Sequence, residues 1–197
     1  MKPTDEELNI LNDVSFLKMK NALTGKIIQY MSQIERALHH QIQQTDFDFP
    51  EGTFLKAGKI SKGEQYKDLP YFILDYPRLF TQKEVFAFRS MLWWGHHYST
   101  TLHLQGSFLW DNKKQIAKKI VEDKELYFCI NKSPWEYHYN SDNYLLIKEL
   151  DEEGIINQIE KNGFIKLSNY IPVTNWDDFS SFTVTSFARF LKCLKAI

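Results

Sequence analysis

The stretch LWWGHHYSTTLHLQ, residues 92–105, collects the side chains best suited to chemistry in this chain. It contains His96, His97 and His103 beside two tryptophans and several hydroxyl groups. An imidazole titrates near neutral pH, so a histidine in a cleft can act as a general acid or base or bind a metal. What each of these side chains can do depends on which face of a strand or turn presents it.

Two strands in this region are predicted to pair and to share a polar face. Alternating residue types predict strands over Val85–Trp93 and residues 98–105, with a turn at Gly95. One face is mainly apolar and suits the core. The other face holds the residues that we assign to ligand binding: Arg89, Trp93, Ser99, Thr101 and His103. A few polar groups framed by apolar walls are typical of small-molecule pockets. A register error of one residue, or a bulge at Gly95, would exchange the two faces.

Asp75 lies near the end of the preceding predicted strand, 71–76, and is expected on the side of Arg89. An aspartate there would form an ion pair with Arg89, or would fix the tautomer of His103 and raise its pKa. In the first function hypothesis, Arg89 holds a carboxylate or phosphate through paired hydrogen bonds. In the second, the protein is an enzyme in which His103 is the general acid or base, Asp75 orients it and Arg89 holds substrate charge. A structural Asp75–Arg89 ion pair would explain the same residues.

The spacing of the histidines and cysteines does not favour a metal site or a catalytic nucleophile. Six strand residues separate His97 from His103 by ~20 Å, too far for both to bind one metal directly. Nothing in the sequence shows that His138 is recruited as a further ligand. Cys129 and Cys193 lie in apolar runs, where we expect buried thiols. There is no CxxC pair, GxSxG elbow or phosphate-binding glycine loop. We therefore predict no metal and no cofactor.

Charge and hydropathy restrict the partners that we expect. The net charge is −1 and the isoelectric point is about 6.6, without the clustered basic excess that duplex nucleic acid requires. No segment approaches the ~20 apolar residues that span a bilayer, and the N-terminus lacks the apolar stretch of a signal peptide. We therefore expect neither a nucleic-acid nor a membrane partner, and a cytoplasmic protein of bacterial type.

Spacing and punctuation predict one α+β domain over residues 1–197. Thr4 and Glu7 form a capping box, and apolar steps of three and four residues predict a long helix from Ser15 to about Gln43. Connections too short for crossover helices favour an antiparallel meander. The predicted regions are a helical N-terminal segment over 1–44, a β-meander over 53–105 with strands at 53–60, 71–76, 85–93 and 98–105, and a mixed region over 106–197.

The mixed region is predicted to complete the sheet and to cover it. Further strands are expected near residues 126–131 and 164–171, with a final helix after Asn175. The SPWEYHYNSDN stretch between them is typical of a polar aromatic loop or an edge hairpin. The expected architecture is an antiparallel sheet of about five to six strands, covered by the long N-terminal helix and the C-terminal helix.

The leading function hypothesis is a binding protein. The 15 phenylalanines, 10 tyrosines and 5 tryptophans predict a core built from rings or a ring-lined cavity. We expect the aromatic-framed sheet face to bind a small, partly apolar, anionic ligand or a protein partner. A third hypothesis treats WWGHH as an exposed hairpin tip that forms a homodimer, because exposed tryptophans are enriched at interfaces.

Overall fold

The computed structural model describes residues 2–194 and shows an α+β fold. The strands are β1 (Lys59–Tyr66), β2 (Leu69–Phe80), β3 (Val85–Trp93), β4 (His97–Gln105), β5 (Tyr127–Cys129), β6 (Tyr144–Leu146) and β7 (Phe164–Pro172). The helices are α1 (Asp5–Asn12), α2 (Val14–Gln44), α3 (Ser107–Ile120), α4 (Glu152–Asn162) and α5 (Phe179–Leu194). All strands pair antiparallel in one sheet of order β1-β2-β3-β4-β7-β5-β6. The predicted fold class is confirmed, with one strand more than expected. No helix within residues 2–194 has both the length and the apolar character that crossing a membrane requires.

Helix α2 attaches the N-terminal part of the chain to the sheet. Asp13 caps its first turn, because the carboxylate accepts a hydrogen bond of 2.9 Å from the Phe16 amide. The buried residues follow the predicted stripe: Ile27, Met31, Ile34, Leu38 and Ile42. Full burial of each such side chain stabilises the fold by about 1.5–3 kcal/mol relative to exposure. This stripe therefore fixes α2 on the sheet from its second third onward.

The core lies between the helices and one face of the sheet. Helix α5 contacts α2, α3, β4 and β7, while α4 packs against α3 and β7. From the sheet, the core receives Phe86, Phe88 and Leu92 of β3 and Tyr98, Leu102 and Leu104 of β4. In the register between these strands, Arg89 lies opposite Thr101 and Ala87 lies opposite His103. The predicted faces of both strands are confirmed, and so is the position of the two long helices.

The first strand begins later in the chain than the predicted span of 53–60. Strand β1 runs over Lys59–Tyr66 and contains Gly63, which the predicted spans of 53–60 and 71–76 leave in the connection between two strands. The ring of Tyr71 lies so close to Gly63 that a Cβ atom there would overlap it. The glycine therefore permits the close approach of a residue on the neighbouring strand. The presence of a glycine in the sequence does not by itself distinguish this role from a turn.

The second face of the sheet is covered by residues 131–143, which connect β5 to β6 and which we call the covering segment. Its tyrosine hydroxyls and carbonyl oxygens bond to Arg89, Lys166 and Ser168 on the sheet. The sequence predicted this stretch as a loop or an edge hairpin, without placing it across the sheet. Because the covering segment lies across this face, the face forms one wall of a cleft.

The connection from β4 to α3 depends on a glycine. Gly106 has φ +97°, and a Cβ atom there would overlap the Glu84 carboxylate and the Lys83 carbonyl oxygen. The same carboxylate accepts a hydrogen bond of 3.0 Å from the Ser107 amide in the first turn of α3. We expect Gly106→Ala to lower the free energy of unfolding by about 2 kcal/mol, because backbone strain adds to a displaced cap. Urea denaturation measures this loss.

Gly25→Ala provides the matched control for that substitution. Gly25 lies inside α2, and no neighbouring heavy atom lies within 4 Å of the position its Cβ would take. Alanine is the better helix former, so this variant should gain about 1 kcal/mol. A Gly106→Ala protein as stable as the wild type would contradict the role given to Gly106.

Candidate functional site

An open cleft of about 980 Å³ lies between the sheet and the covering segment, near the hairpin that joins β2 to β3. Its charged lining residues are Lys59, Asp75, Arg78, Arg89 and Lys132. Its aromatic lining residues are Phe80, Trp135 and Phe164. The volume lies at the upper end of the roughly 300–1,000 Å³ common for ligand sites. Of the candidate site residues named from the sequence, only Asp75, Arg89 and His103 line this cleft.

A bulge in β2 places Arg78 on the same face as Asp75. Asp75 pairs with Arg89, and Arg78 pairs with Ala87, so three steps along β2 match two along β3. In a regular strand, residues 75 and 78 would lie on opposite faces. The bulge thus adds a second guanidinium to the cleft, which the sequence prediction missed. Pro77 was the available signal, because proline inside a central strand is confined to bulges.

Arg89 is fixed at the back wall of the cleft. Its Nε donates to Oδ1 of Asp75 at 2.6 Å and its Nη2 donates to Oδ2 at 2.8 Å, while Nη1 donates to the Tyr137 hydroxyl. Burial alone would lower the pKa of Arg89, but the bonds to Asp75 and the charge of that carboxylate raise it above its ordinary value. The predicted ion pair is confirmed. Most of the guanidinium's hydrogen-bonding capacity is therefore used inside the protein.

His103 lies in the cleft wall but is not oriented by Asp75. Both oxygens of Asp75 accept hydrogen bonds from Arg89. Burial, together with the positive charges of Lys166 and Arg89, lowers the pKa of His103 to about 3. The prediction that Asp75 would raise this pKa is wrong, because the carboxylate is taken up by Arg89 and the charged groups that shift His103 are cations. An imidazole that stays neutral near pH 7 keeps one weakly acidic N–H and lacks the imidazolium proton that a general acid gives up.

The other predicted site residues lie outside the open cleft. Thr101 borders a small enclosed cavity behind it. Ser99 is buried, and Trp93 is only 3% exposed in an apolar cluster that includes a tyrosine of the covering segment. All five predicted binding residues do share one face, as the register shows. The covering segment leaves Arg89 and His103 as the two that line the cleft.

The WWGHH turn does not present an exposed tryptophan patch. Trp93 is buried, and the ring of His96 stacks on it with centroids 3.6 Å apart. Trp94 is half-buried and stacks against Phe72. The expectation of exposed tryptophans at this tip is therefore wrong for Trp93, whereas Trp94 stays partly exposed and lines an apolar groove.

Lys166 adds another basic group behind the cleft. Its Nζ donates to the carbonyl oxygens of Pro134 at 2.9 Å and Glu136 at 2.5 Å, which holds the covering segment on the sheet. Burial lowers the pKa of Lys166 to about 7. Among the lining residues that the structure describes, Asp75 is the one carboxylate. The lining of the cleft therefore carries more cationic side chains than carboxylates.

Three cationic side chains of the cleft form no ion pair with a carboxylate of the described residues: Lys59, Arg78 and Lys132. Of the three, Arg78 has a ring contact that helps to hold its charged group in place. Its guanidinium carbon lies 4.9 Å from the centroid of the Phe54 ring. Its Nε is buried without a hydrogen-bond partner within residues 2–194, as is Nε2 of His103. Buried polar atoms in folded proteins are nearly always hydrogen-bonded. Both residues line the cleft, so each brings there a buried nitrogen that lacks the partner such an atom normally has.

The side chains in the described part of the chain do not form a metal site, since no three or more His, Cys, Asp or Glu residues cluster suitably. Cys129 and Cys193 are free and buried, as predicted. Burial raises the pKa of both thiols, that of Cys193 to about 12. Neither thiol is therefore a thiolate nucleophile at neutral pH.

The chain shows no match to the protein-family models, the curated proteins or the solved structures with which it was compared. What the cleft can bind is therefore inferred from its own side chains.

Proposed function

We propose that the protein binds a small anionic ligand with a planar or apolar part in the cleft beside the covering segment. The observation that carries this proposal is the unneutralised positive charge of Lys59, Arg78 and Lys132 around a cavity of ligand size. The one lining carboxylate, Asp75, is already bonded to Arg89. An anion entering the cleft therefore meets cations without displacing an existing ion pair.

Arg78 is the proposed anchor for the anionic group. A guanidinium presents N–H groups in a planar fork that matches two oxygens of a carboxylate or a phosphate. The guanidinium carbon lies over the Phe54 ring at 4.9 Å from its centroid, and this contact restricts the side chain before a ligand arrives, which lowers the entropy lost on binding. Lys59 and Lys132 carry flexible point charges at the same cleft, so they add attraction without fixing orientation.

The aromatic wall is the proposed contact for the rest of the ligand. Phe80 and Trp135 lie with their ring centroids 6.4 Å apart and remain 41% and 50% exposed. Half-exposed rings at a cleft can bury further area against a planar or apolar ligand. A ligand that combines an anionic head with such a body would satisfy both parts of the cleft at once.

Arg78→Gln is expected to weaken anion binding by about tenfold to a hundredfold, because a charge-assisted hydrogen bond contributes about 1.5–3 kcal/mol. Thermal shifts of the wild type against inorganic phosphate, phosphate monoesters, and aliphatic and aromatic carboxylates would identify the class of ligand. Calorimetric titration of the best compound then gives the dissociation constants of both proteins.

Arg36→Gln is the matched control, since Arg36 is an exposed arginine of α2 that does not line the cleft. It should bind like the wild type. The proposal fails if no anion of this panel raises the melting temperature of the wild type. It fails equally if Arg78→Gln and Arg36→Gln respond alike.

A further inference from the structure

The N-terminal part of the chain, residues 5–23, presents apolar side chains that nothing in the described structure covers; we call it the N-terminal arm. Every residue from 2 to 19 is exposed. Seven large apolar side chains between Leu8 and Met19 are each 41–65% exposed. Exposed apolar surface of this density commonly marks an interaction site.

The arm continues the stripe by which α2 packs on the sheet. Phe16, Met19 and Leu23 follow steps of three and four residues that lead directly to Ile27 and Met31. The last two are buried in the core, whereas the first three are exposed. One helix face therefore passes from a covered stripe to an uncovered one where α2 leaves the sheet.

An apolar groove of about 250 Å³ lies at the base of the arm. It is lined by Leu23, Ile27, Leu92, Trp94, Val173 and Trp176, with Gly95 at its edge. Because Leu23 belongs both to the uncovered stripe and to this groove, the two form one continuous apolar surface. The surface lies on the helix side of the sheet, away from the cleft.

Charges along the arm are separated into two halves. Helix α1 begins with Asp5, Glu6 and Glu7, whereas the start of α2 carries Lys18 and Lys20, and Lys26 follows just after the arm. Lys20 already pairs with Glu64 of β1 at 2.9 Å. An antiparallel pair of such arms, related by a two-fold axis, would place each acidic half along the basic half of the other copy. The four lysines and four acids of residues 2–26 cancel. A helix that lies on a membrane surface typically has a cationic polar face, so this balance favours a protein partner.

We propose that the N-terminal arm pairs antiparallel with the arm of a second copy of this chain, forming a two-fold homodimer. Helix α1 of one copy packs along residues 16–23 of the other and approaches the groove beside Trp94. The exposed apolar side chains would form the centre of this interface and the charged side chains its rim, where a standard interface buries ~800 Å² per partner. The proposal does not depend on ligand binding in the cleft.

Sedimentation velocity of the full chain, from low micromolar to submillimolar concentration, tests the dimer. Wild type is expected to dimerise across this range. Phe16→Ser combined with Met19→Ser should raise the dissociation constant about a hundredfold, because interface energy is concentrated in a few large apolar side chains. Trp110→Ser is the matched control, since Trp110 is similarly exposed on α3 outside the arm. Circular dichroism confirms that each variant folds.

A charge exchange tests the antiparallel arrangement. Asp5→Lys with Glu6→Lys should weaken the dimer, because two basic halves then face each other. Adding Lys18→Glu and Lys26→Glu should restore it, since complementarity returns with opposite sign. A parallel dimer would not show this pattern, because its like halves already face each other.

Three results would overturn the proposal: a wild type that stays monomeric throughout the range, a dimer insensitive to the apolar substitutions, or a charge exchange without recovery. Flotation with phosphatidylcholine and phosphatidylglycerol vesicles tests the alternative, in which the arm binds a lipid surface. A monomer that binds these vesicles through Phe16 and Met19 would assign the arm to a lipid surface instead of a second copy.

Discussion

Replacing Arg89 with methionine is expected to lower the free energy of unfolding by about 3–5 kcal/mol, as when one partner of a buried ion pair is removed. Asp75 is only 5% exposed, and both of its carboxylate oxygens depend on Arg89 for hydrogen bonds. Without Arg89 the folded state keeps a desolvated negative charge that water solvates in the unfolded state. Urea denaturation at neutral pH measures the loss.

The double variant Arg89→Met with Asp75→Leu distinguishes loss of the pair from general disruption. Apolar residues of similar volume often replace a buried ion pair at little net cost, so the double variant should regain most of the stability. Asp75→Leu alone leaves Arg89 buried without a counter-charge and should be destabilised comparably. A loss below about 1 kcal/mol for Arg89→Met would show that water, and not Arg89, solvates Asp75.

The same ion pair explains why the outer cations of the cleft have no carboxylate partner. Asp75 neutralises Arg89 at the back wall, and Arg89 in turn donates to Tyr137 of the covering segment. The carboxylate is therefore not available to Arg78, which lies on the same face because of the bulge. A contact that stabilises the fold thus leaves the outer cations for an anion to neutralise.

Local patterns predicted the elements that form the scaffold of the site. Strand β3 was predicted with its observed bounds, and α2 begins and ends within one residue of the predicted Ser15 and Gln43. Alternation also assigned Arg89 and His103 to one face. These features depend on residue spacing within one element, which the chain carries locally.

Features that depend on contacts between distant elements could not be predicted in this way. The covering segment has no periodicity, so nothing in residues 131–143 indicates that they lie across the sheet. The β2 bulge shifts the register by one position before Arg78. Strict alternation therefore places Arg78 on the face opposite to Asp75, whereas the two residues share a face. The low pKa of His103 results first from burial beneath that segment and then from the charge of Lys166 on another strand. Each feature arises from the register and packing of the completed fold.

Lowering the pH from 7 to 5 is expected to remove about 4 kcal/mol of stability through two buried histidines. Burial, with the nearby charge of His96, lowers the pKa of His97 to about 4, and burial with neighbouring cations lowers that of His103 to about 3. The value in the unfolded chain is near 6.5. Below pH 6.5 the unfolded state takes up protons that the folded state does not. The free energy of unfolding is therefore full above pH 6.5 and falls as the pH is lowered toward the pKa values of the folded state. Each imidazole contributes about 2 kcal/mol over this interval.

Urea denaturation of His97→Gln, His103→Gln and the double variant at both pH values tests this assignment. Each single substitution should reduce the difference in stability between pH 7 and pH 5 by about half, and the double variant should lose most of it. The difference between the two pH values is the readout, because glutamine also changes the packing and lowers stability equally at both. Lys166, whose pKa is lowered from 10.5 to about 7, acts mainly above pH 7 and therefore contributes little to this interval. A wild type that is equally stable at the two pH values would show that both histidines accept protons in the folded state, which requires the covering segment to admit water.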